Sequence, residues 1–195
     1  MRRSLTVTAL SSALVASASL AAQAASVNFS GPLSGAQEAP TSNASPATGS
    51  YVATLVGEPE QWTFNYKVSF QNLTGSLRDG HIHLGSRGAA GPVVHSLDGI
   101  AAVVETNVTS GSLVGDWTSA DLPATLAPAT VFQRFLDGQY YFNVHSTIFP
   151  GGEIRGQIDN PTASVAVPEP ATAIGLLVAG VLGAVARRKQ VSQVT

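Results

Sequence analysis

The chain has no cysteine. Disulfides and cysteine nucleophiles are excluded, so stability must come from a packed core. Charge is scarce too: 10 Lys and Arg stand against 12 Asp and Glu in 195 residues, with no basic block in the middle. A nucleic-acid partner would have no electrostatic footprint to bind. There is no G-x-S-x-G elbow, no P-loop, no dinucleotide glycine pattern and no internal repeat. Glu38, Glu58, Glu105, Asp116 and Glu153 are scattered, so no carboxylate pair for glycoside cleavage can be assigned. The stretch "GSRGAAG" (85–91) precedes no helix and predicts a tight loop, not a phosphate cradle.

What is present begins at the two ends. Met1-Arg2-Arg3 is a short positive start, Leu5 to Leu20 is largely apolar, and Ala22-Gln23-Ala24 has the small-x-small pattern that signal peptidase reads. Residues 1–24 therefore predict a secretory signal peptide cleaved after Ala24. At the other end, Ala171 to Ala186 carries no charge. As a helix it would span about 24 Å, a little under the ~30 Å hydrocarbon core. Arg187, Arg188 and Lys189 follow and should stay on the cytoplasmic side. Residues 171–195 thus predict a transmembrane helix with a basic tail, and 160–170 a linker.

Pro168-Glu169-Pro170, the apolar run and the Arg187-Arg188-Lys189 cluster stand in that order. Together they resemble the PEP-CTERM sorting signal. The resemblance implies a Gram-negative bacterium, transient anchoring in the inner membrane, and processing by an exosortase-type enzyme that reads the Pro-Glu-Pro. The chain would then reach the cell surface or the exterior.

The segment between the ends, 25–159, reads as all-β. In "WTFNYKVSF", Trp62, Phe64, Tyr66, Val68 and Phe70 alternate with polar residues, the signature of a half-buried antiparallel strand. Tyr51–Gly57 predicts a second strand, joined to it through Glu58-Pro59-Glu60. Tyr140–Ile148 and Gly152–Ile158 predict a hairpin about Phe149-Pro150-Gly151. Weaker strands are expected at 27–33, 81–84, 93–97 and within 101–113. "PATVFQRFLDG" instead has helical spacing, with Gly138 as its C-terminal cap. Gly35 to Gly49 predicts a surface loop. The expected fold is an antiparallel, Greek-key-like β-sandwich or barrel with one short helix.

Candidate chemistry lies with the four histidines. His81 and His83 sit two apart on a predicted strand, so both imidazoles face the same way, about 7 Å apart. Asn143 and His145 lie opposite the apolar face of Phe142 and Val144. His81, His83, His95 and His145 together are a candidate site for a divalent metal, Cu or Zn. The competing reading has them bonding loop carbonyls or Asp79. Glu153 and Arg155 share a strand face and read as structural, reaching Asn143 or His145 across the hairpin.

The motifs "LSGAQEAP", "GHIHLGSRGAAGPVVHSL" and "LDGQYYFNVHSTIFPGGEIRGQI" resemble a CHRD domain. That resemblance covers about 27–159 and implies a β-rich extracellular domain in which Glu38, Asn143, Glu153 and Arg155 belong to the shared motifs. The order of an H-x-H strand, a glycine-rich loop with a further histidine and a late strand histidine is also similar to Cu/Zn superoxide dismutase. That implies a Greek-key sandwich. The cysteines and zinc loop of that family are missing, so no dismutase activity is implied. The expectation is an exported surface or matrix protein, for instance in a biofilm, with a non-enzymatic role toward a polysaccharide or protein ligand. The alternative is a metal-binding or metal-dependent role.

Overall fold

A computed structural model describes residues 26–164 apart from 101, 102, 104 and 105. The expected signal peptide, the apolar run at 171–186 and the sorting residues Pro168, Glu169, Pro170, Arg187, Arg188 and Lys189 lie outside the described residues. Among those described, no helix is long and apolar enough to cross a membrane.

The alternation in "WTFNYKVSF" forms its strand as expected. It is the centre of β3 (Gln61–Gln71), which pairs with β2 (Thr48–Glu58) through a tight turn over 59–60. Every apolar residue of the alternating set is buried and every polar one faces outward or half outward. β1 (Ser26–Ser34) lies on the other side of β2, and β6 (Gly111–Thr118) on the other side of β3. The rest of the sheet comes from β4 (Leu77–Leu84), β5 (Val93–Ser96), β7 (Tyr140–Ser146) and β8 (Ile154–Ile158). The order is β5-β4-β7-β8-β1-β2-β3-β6, and all pairings are antiparallel.

The sheet curls into a nearly closed barrel around Phe29, Leu33, Leu55, Phe64, Val68, Ile82, Phe142, Val144 and Ile154. The chain leaves β3 for β4 and β5, returns to pair β6 with β3, then crosses back to β7. Of sandwich and barrel, the barrel-like form is the one realised. A further strand, β9 (Thr162–Ser164), pairs with Ser26–Asn28 of β1. The expected linker from 160 therefore begins with sheet. β1 pairs with β8 at Ser34, so the Ser26 end of that edge is free for β9.

Helix α1 (Pro128–Leu136) has proline in its first turn, where the missing N–H costs nothing. Gly138 follows at φ 63°, a left-handed conformation that glycine adopts without strain. The helix buries Val131 and Phe135. Phe135 stacks on Phe64 at 4.2 Å between ring centroids, and Trp62 Nε1 donates to Pro128 O at 3.1 Å.

Among the described residues no ladder joins the sheet's two edges, β5 and β6; side chains close the seam instead. His95 stacks on Trp117 with ring centroids 5.3 Å apart, and its Nε2 lies 3.3 Å from the Tyr66 hydroxyl. Asp98 Oδ2 accepts from the Asp116 N–H at 2.8 Å, and the Tyr66 hydroxyl accepts from the Asp98 N–H at 2.8 Å. Satisfied polar partners at an unpaired edge remove the exposed template for pairing with another chain.

A candidate metal centre on the outer face of the barrel

Over β7 and β8 the outer face is as buried as the inner one. All seven residues of β7 and all five of β8 are buried. The inward side chains are Phe142, Val144, Ile154 and Ile158. The outward set is polar: His83, Asn143, His145, Arg155 and Gln157, with Glu153 just before β8. Buried polar groups are stable only when hydrogen-bonded, and three loops supply most of the partners.

The first cover is the segment 35–47, expected to be a surface loop and found lying on the sheet. Asn43 Nδ2 donates to Glu153 O at 3.0 Å. Ser45 Oγ donates to Glu153 Oε1 at 2.6 Å, and Thr74 N–H donates to the same oxygen at 2.7 Å. Burial pulls the Glu153 pKa up, but hydrogen bonds from Ser146, Ser45 and Thr74 outweigh it and hold the carboxyl below its usual range. Glu153 is a structural anchor.

The second cover is the tight loop "GSRGAAG". Arg155 is 1% exposed and lies over the Tyr141 ring, 3.5 Å from its centroid. Its guanidinium donates to Ala89 O at 2.8 Å, Ser86 O at 2.9 Å and Gln157 Oε1 at 2.8 Å. Gln157 Nε2 donates to Gly85 O, Gly138 O and Tyr140 O. Arg155 stands opposite Asn143 in register, but its side chain bonds the loop and Gln157 and not Asn143 or His145.

Three histidines meet within this enclosure. Register sets Asp79 opposite His145, His81 opposite Asn143 and His83 opposite Tyr141. The rings of His81, His83 and His145 lean together, with centroids 5.0, 5.6 and 5.8 Å apart. One nitrogen from each lies within 4.8 Å of the others.

The remaining nitrogens fix the tautomers. His83 Nδ1 is 2.9 Å from Gly91 O, and His145 Nδ1 is 3.1 Å from Pro150 O. A carbonyl only accepts, so both Nδ1 atoms carry the proton and both Nε2 atoms carry a lone pair. His81 Nε2 is 3.0 Å from Asp79 Oδ1, so in the neutral ring Nδ1 keeps its lone pair. His81 Nδ1 and His145 Nε2 then face each other at 3.2 Å. His83 Nε2 is buried without any partner.

Two facing lone pairs and an orphaned third are what a cation would satisfy. Two imidazole nitrogens bound to one tetrahedral ion at ~2.0–2.1 Å are about 3.3 Å apart, close to the observed separation. The third must swing in by roughly 1.5 Å at most. Each candidate ligand also donates its other N–H to a carbonyl or carboxylate, the outer-shell pattern of metal-binding histidines. A proton is a poor substitute at His145. Burial, with His81 and His83 nearby, pushes its pKa down to about 4, although Pro150 O and Asp79 pull the other way. Burial also lowers that of His83.

His95 does not join them. It pairs with Ile82, between His81 and His83, and so takes the opposite face of the sheet, where it closes the barrel seam. The fourth expected ligand is corrected accordingly. Sequence reasoning passed over Tyr141, which stacks on His83 at 4.9 Å and accepts the Gly91 N–H at 3.2 Å, and over Gln157, which holds the loop. Their strand alternation with Tyr140, Phe142 and Ile158 was the available signal.

Beside the histidines, Glu38 Oε2 accepts from Asn143 Nδ2 at 3.4 Å. Burial drives the Glu38 pKa up to about 7 against the opposing pull of Asn143, Arg155 and the Ala39 N–H. Gly152, at φ 131°, touches both residues: a Cβ there would meet Asn143 Nδ2 at 2.6 Å and Glu38 Oε1 at 2.9 Å.

Fold and buried polar face together define an antiparallel β-barrel-like domain with a histidine cluster. The CHRD domain family matches residues 29–158, and the chain belongs to that family. The PEP-CTERM protein-sorting motif matches residues 166–189. No curated protein and no solved structure matches the chain. The sorting motif marks a secreted protein for recognition by an exosortase-type enzyme and delivery to the cell surface through membrane-anchored sorting. Neither family is enzymatic.

Proposed function

We propose that this exported domain binds one divalent transition metal, Zn²⁺ or Cu²⁺, through His81 Nδ1, His83 Nε2 and His145 Nε2. The single observation that carries the reading is the 3.2 Å approach of two imidazole nitrogens, each of which, in a neutral ring, has its proton committed on the far nitrogen. The role is non-enzymatic: a metal-holding module at the surface of a Gram-negative bacterium, anchored in the inner membrane until processing. The bound ion would fasten the two loops that orient His83 and His145, through Gly91 O and Pro150 O. It would thereby stiffen the outer face offered to a matrix polysaccharide or protein.

A ligand that binds only the folded state raises stability by RT ln(1 + [L]/Kd), about 2.7 kcal/mol at a hundredfold excess over Kd. Zn²⁺ should therefore raise the Tm of the exported chain by several degrees and leave His83→Ala unmoved. Equal shifts in both proteins would contradict the reading.

A further inference from the structure

The histidine cluster supplies three donors, not four. Among the described residues no other carboxylate or imidazole joins the group. Asp79, the nearest acid, is already bonded to the far nitrogen of His81 and acts behind it. Closed structural zinc sites take four protein ligands, whereas sites with three keep a position for water or another small molecule.

The neighbourhood holds two acceptors with nothing to accept. Asn143 is 3% exposed, and its Oδ1 has no partner; neither does the buried Glu38 Oε1. Asn143 lies directly opposite His81 and two residues before His145, on the same strand face, where cross-strand Cβ atoms are about 5 Å apart. A Cβ at Gly152 would lie 2.7 Å from Asn143 Oδ1 and 2.9 Å from Glu38 Oε1. The two oxygens are thus within the span of one water, whose two hydrogen bonds reach across about 5.8 Å at most. A metal-bound water has two O–H donors and no other need for them, while buried polar atoms rarely stay unpaired.

We propose that the metal held by His81, His83 and His145 keeps a fourth, exchangeable position for water, and that Asn143 Oδ1 and Glu38 Oε1 accept that water's hydrogen bonds. The inference rests on the metal reading above. It makes the centre a place where a compact donor ligand can replace water, reached from the side of His81, the most exposed of the three rings. Asn143 and Glu38 are positioning residues: they act on the ion through its water. The rival arrangement is a protonated Glu38 carboxyl closed on the Asn143 amide as an acid–amide pair, which leaves neither oxygen free for water.

The test is a titration of the Cu²⁺-loaded exported chain with azide, followed by the azide-to-copper charge-transfer absorption, in wild type, Asn143→Ala and Glu38→Gln. Copper content and circular dichroism of each protein are measured alongside. Azide displaces the water, so losing a water acceptor should favour azide. The expected result is a saturable band in wild type, and azide affinity about fivefold tighter in each variant, the worth of one ordinary hydrogen bond. If copper does not bind at all, the metal reading fails and takes this proposal with it. Should copper bind and azide produce no band, the metal reading stands and the open position is overturned. A band with equal azide affinity in wild type and in the variants that keep their copper and fold overturns the acceptor role and favours the acid–amide pair. Glu38 lies in a covering segment outside the strands, so its variant decides that point even where Asn143→Ala does not fold.

Discussion

Two halves of one sheet treat their outer faces in opposite ways. In β3, the outward residues Asn65 and Lys67 are exposed, and polar side chains serve only to meet water. In β7 and β8 the outward residues are as buried as the inward ones, yet they are Asn143, His145, Arg155 and Gln157. Solvation is free for the first half. The second half must find a partner for each buried donor and acceptor, because an unpaired one costs roughly 1–3 kcal/mol. Almost all find one in loops 35–47, 85–91 and 147–152. The atoms left over beside the histidines are His83 Nε2, Asn143 Oδ1 and Glu38 Oε1. The difference between the halves points to the site more clearly than any motif does.

The largest expected break in this comparison is Arg155→Ala. It removes a buried guanidinium and leaves Ser86 O and Ala89 O without their donors. A loss of about 3 kcal/mol is expected in urea denaturation. Lys67→Ala, in the solvated half, should change stability by less than about 0.5 kcal/mol. Similar losses for both would erase the contrast.

Acid should act next, and in two directions. For metal-free protein, unfolded His145 takes a proton below about 6.5 that the folded form refuses until about 4. Stability therefore falls across that window, by up to about 3 kcal/mol. Glu38 works the other way. Its folded pKa is raised from 4.5 to about 7, so its contribution is full below 4.5 and is lost as pH rises through 7. Wild type should show a shallow Tm decline from pH 7 to 4.5. Glu38→Gln should steepen the decline and His145→Gln should flatten or reverse it. Parallel curves for the three proteins would refute the assignment of both groups.

A smaller effect is expected from Asp79→Ala, which frees His81 Nε2 without touching a ligand nitrogen. Outer-shell losses of this kind typically weaken metal binding 10–100-fold, readable by competition with a chromogenic chelator at unchanged stoichiometry. Unchanged affinity would remove Asp79 from the centre.

Legibility in the sequence follows the same division. β3 could be read from "WTFNYKVSF" because its outer face meets solvent, which keeps the alternation clean. α1 was legible from helical spacing and the Gly138 stop. Strand parity alone put His81 with His83 and Asn143 with His145; that the two pairs share one face depends on the β4–β7 register, which parity does not give. Covering loops were not legible, since 35–47 closes over Glu153 and Glu38 over Asn143 through contacts about a hundred residues apart. Nor was the exclusion of His95. Its face depends on the pairing with Ile82 and on the register shift between Ile82 and His83, which spacing does not encode. The strand at Thr162–Ser164 was hidden for a related reason: it is short, and only the free edge of β1 calls for it.

Equilibrium dialysis against Zn²⁺ tests the centre most directly, comparing wild type with His83→Ala and His95→Ala. The three-histidine account predicts about one ion per chain in wild type and in His95→Ala, and none retained at the same free Zn²⁺ in His83→Ala. Loss of the ion in His95→Ala with retention in His83→Ala, or no stoichiometric ion in any of the three, would contradict it.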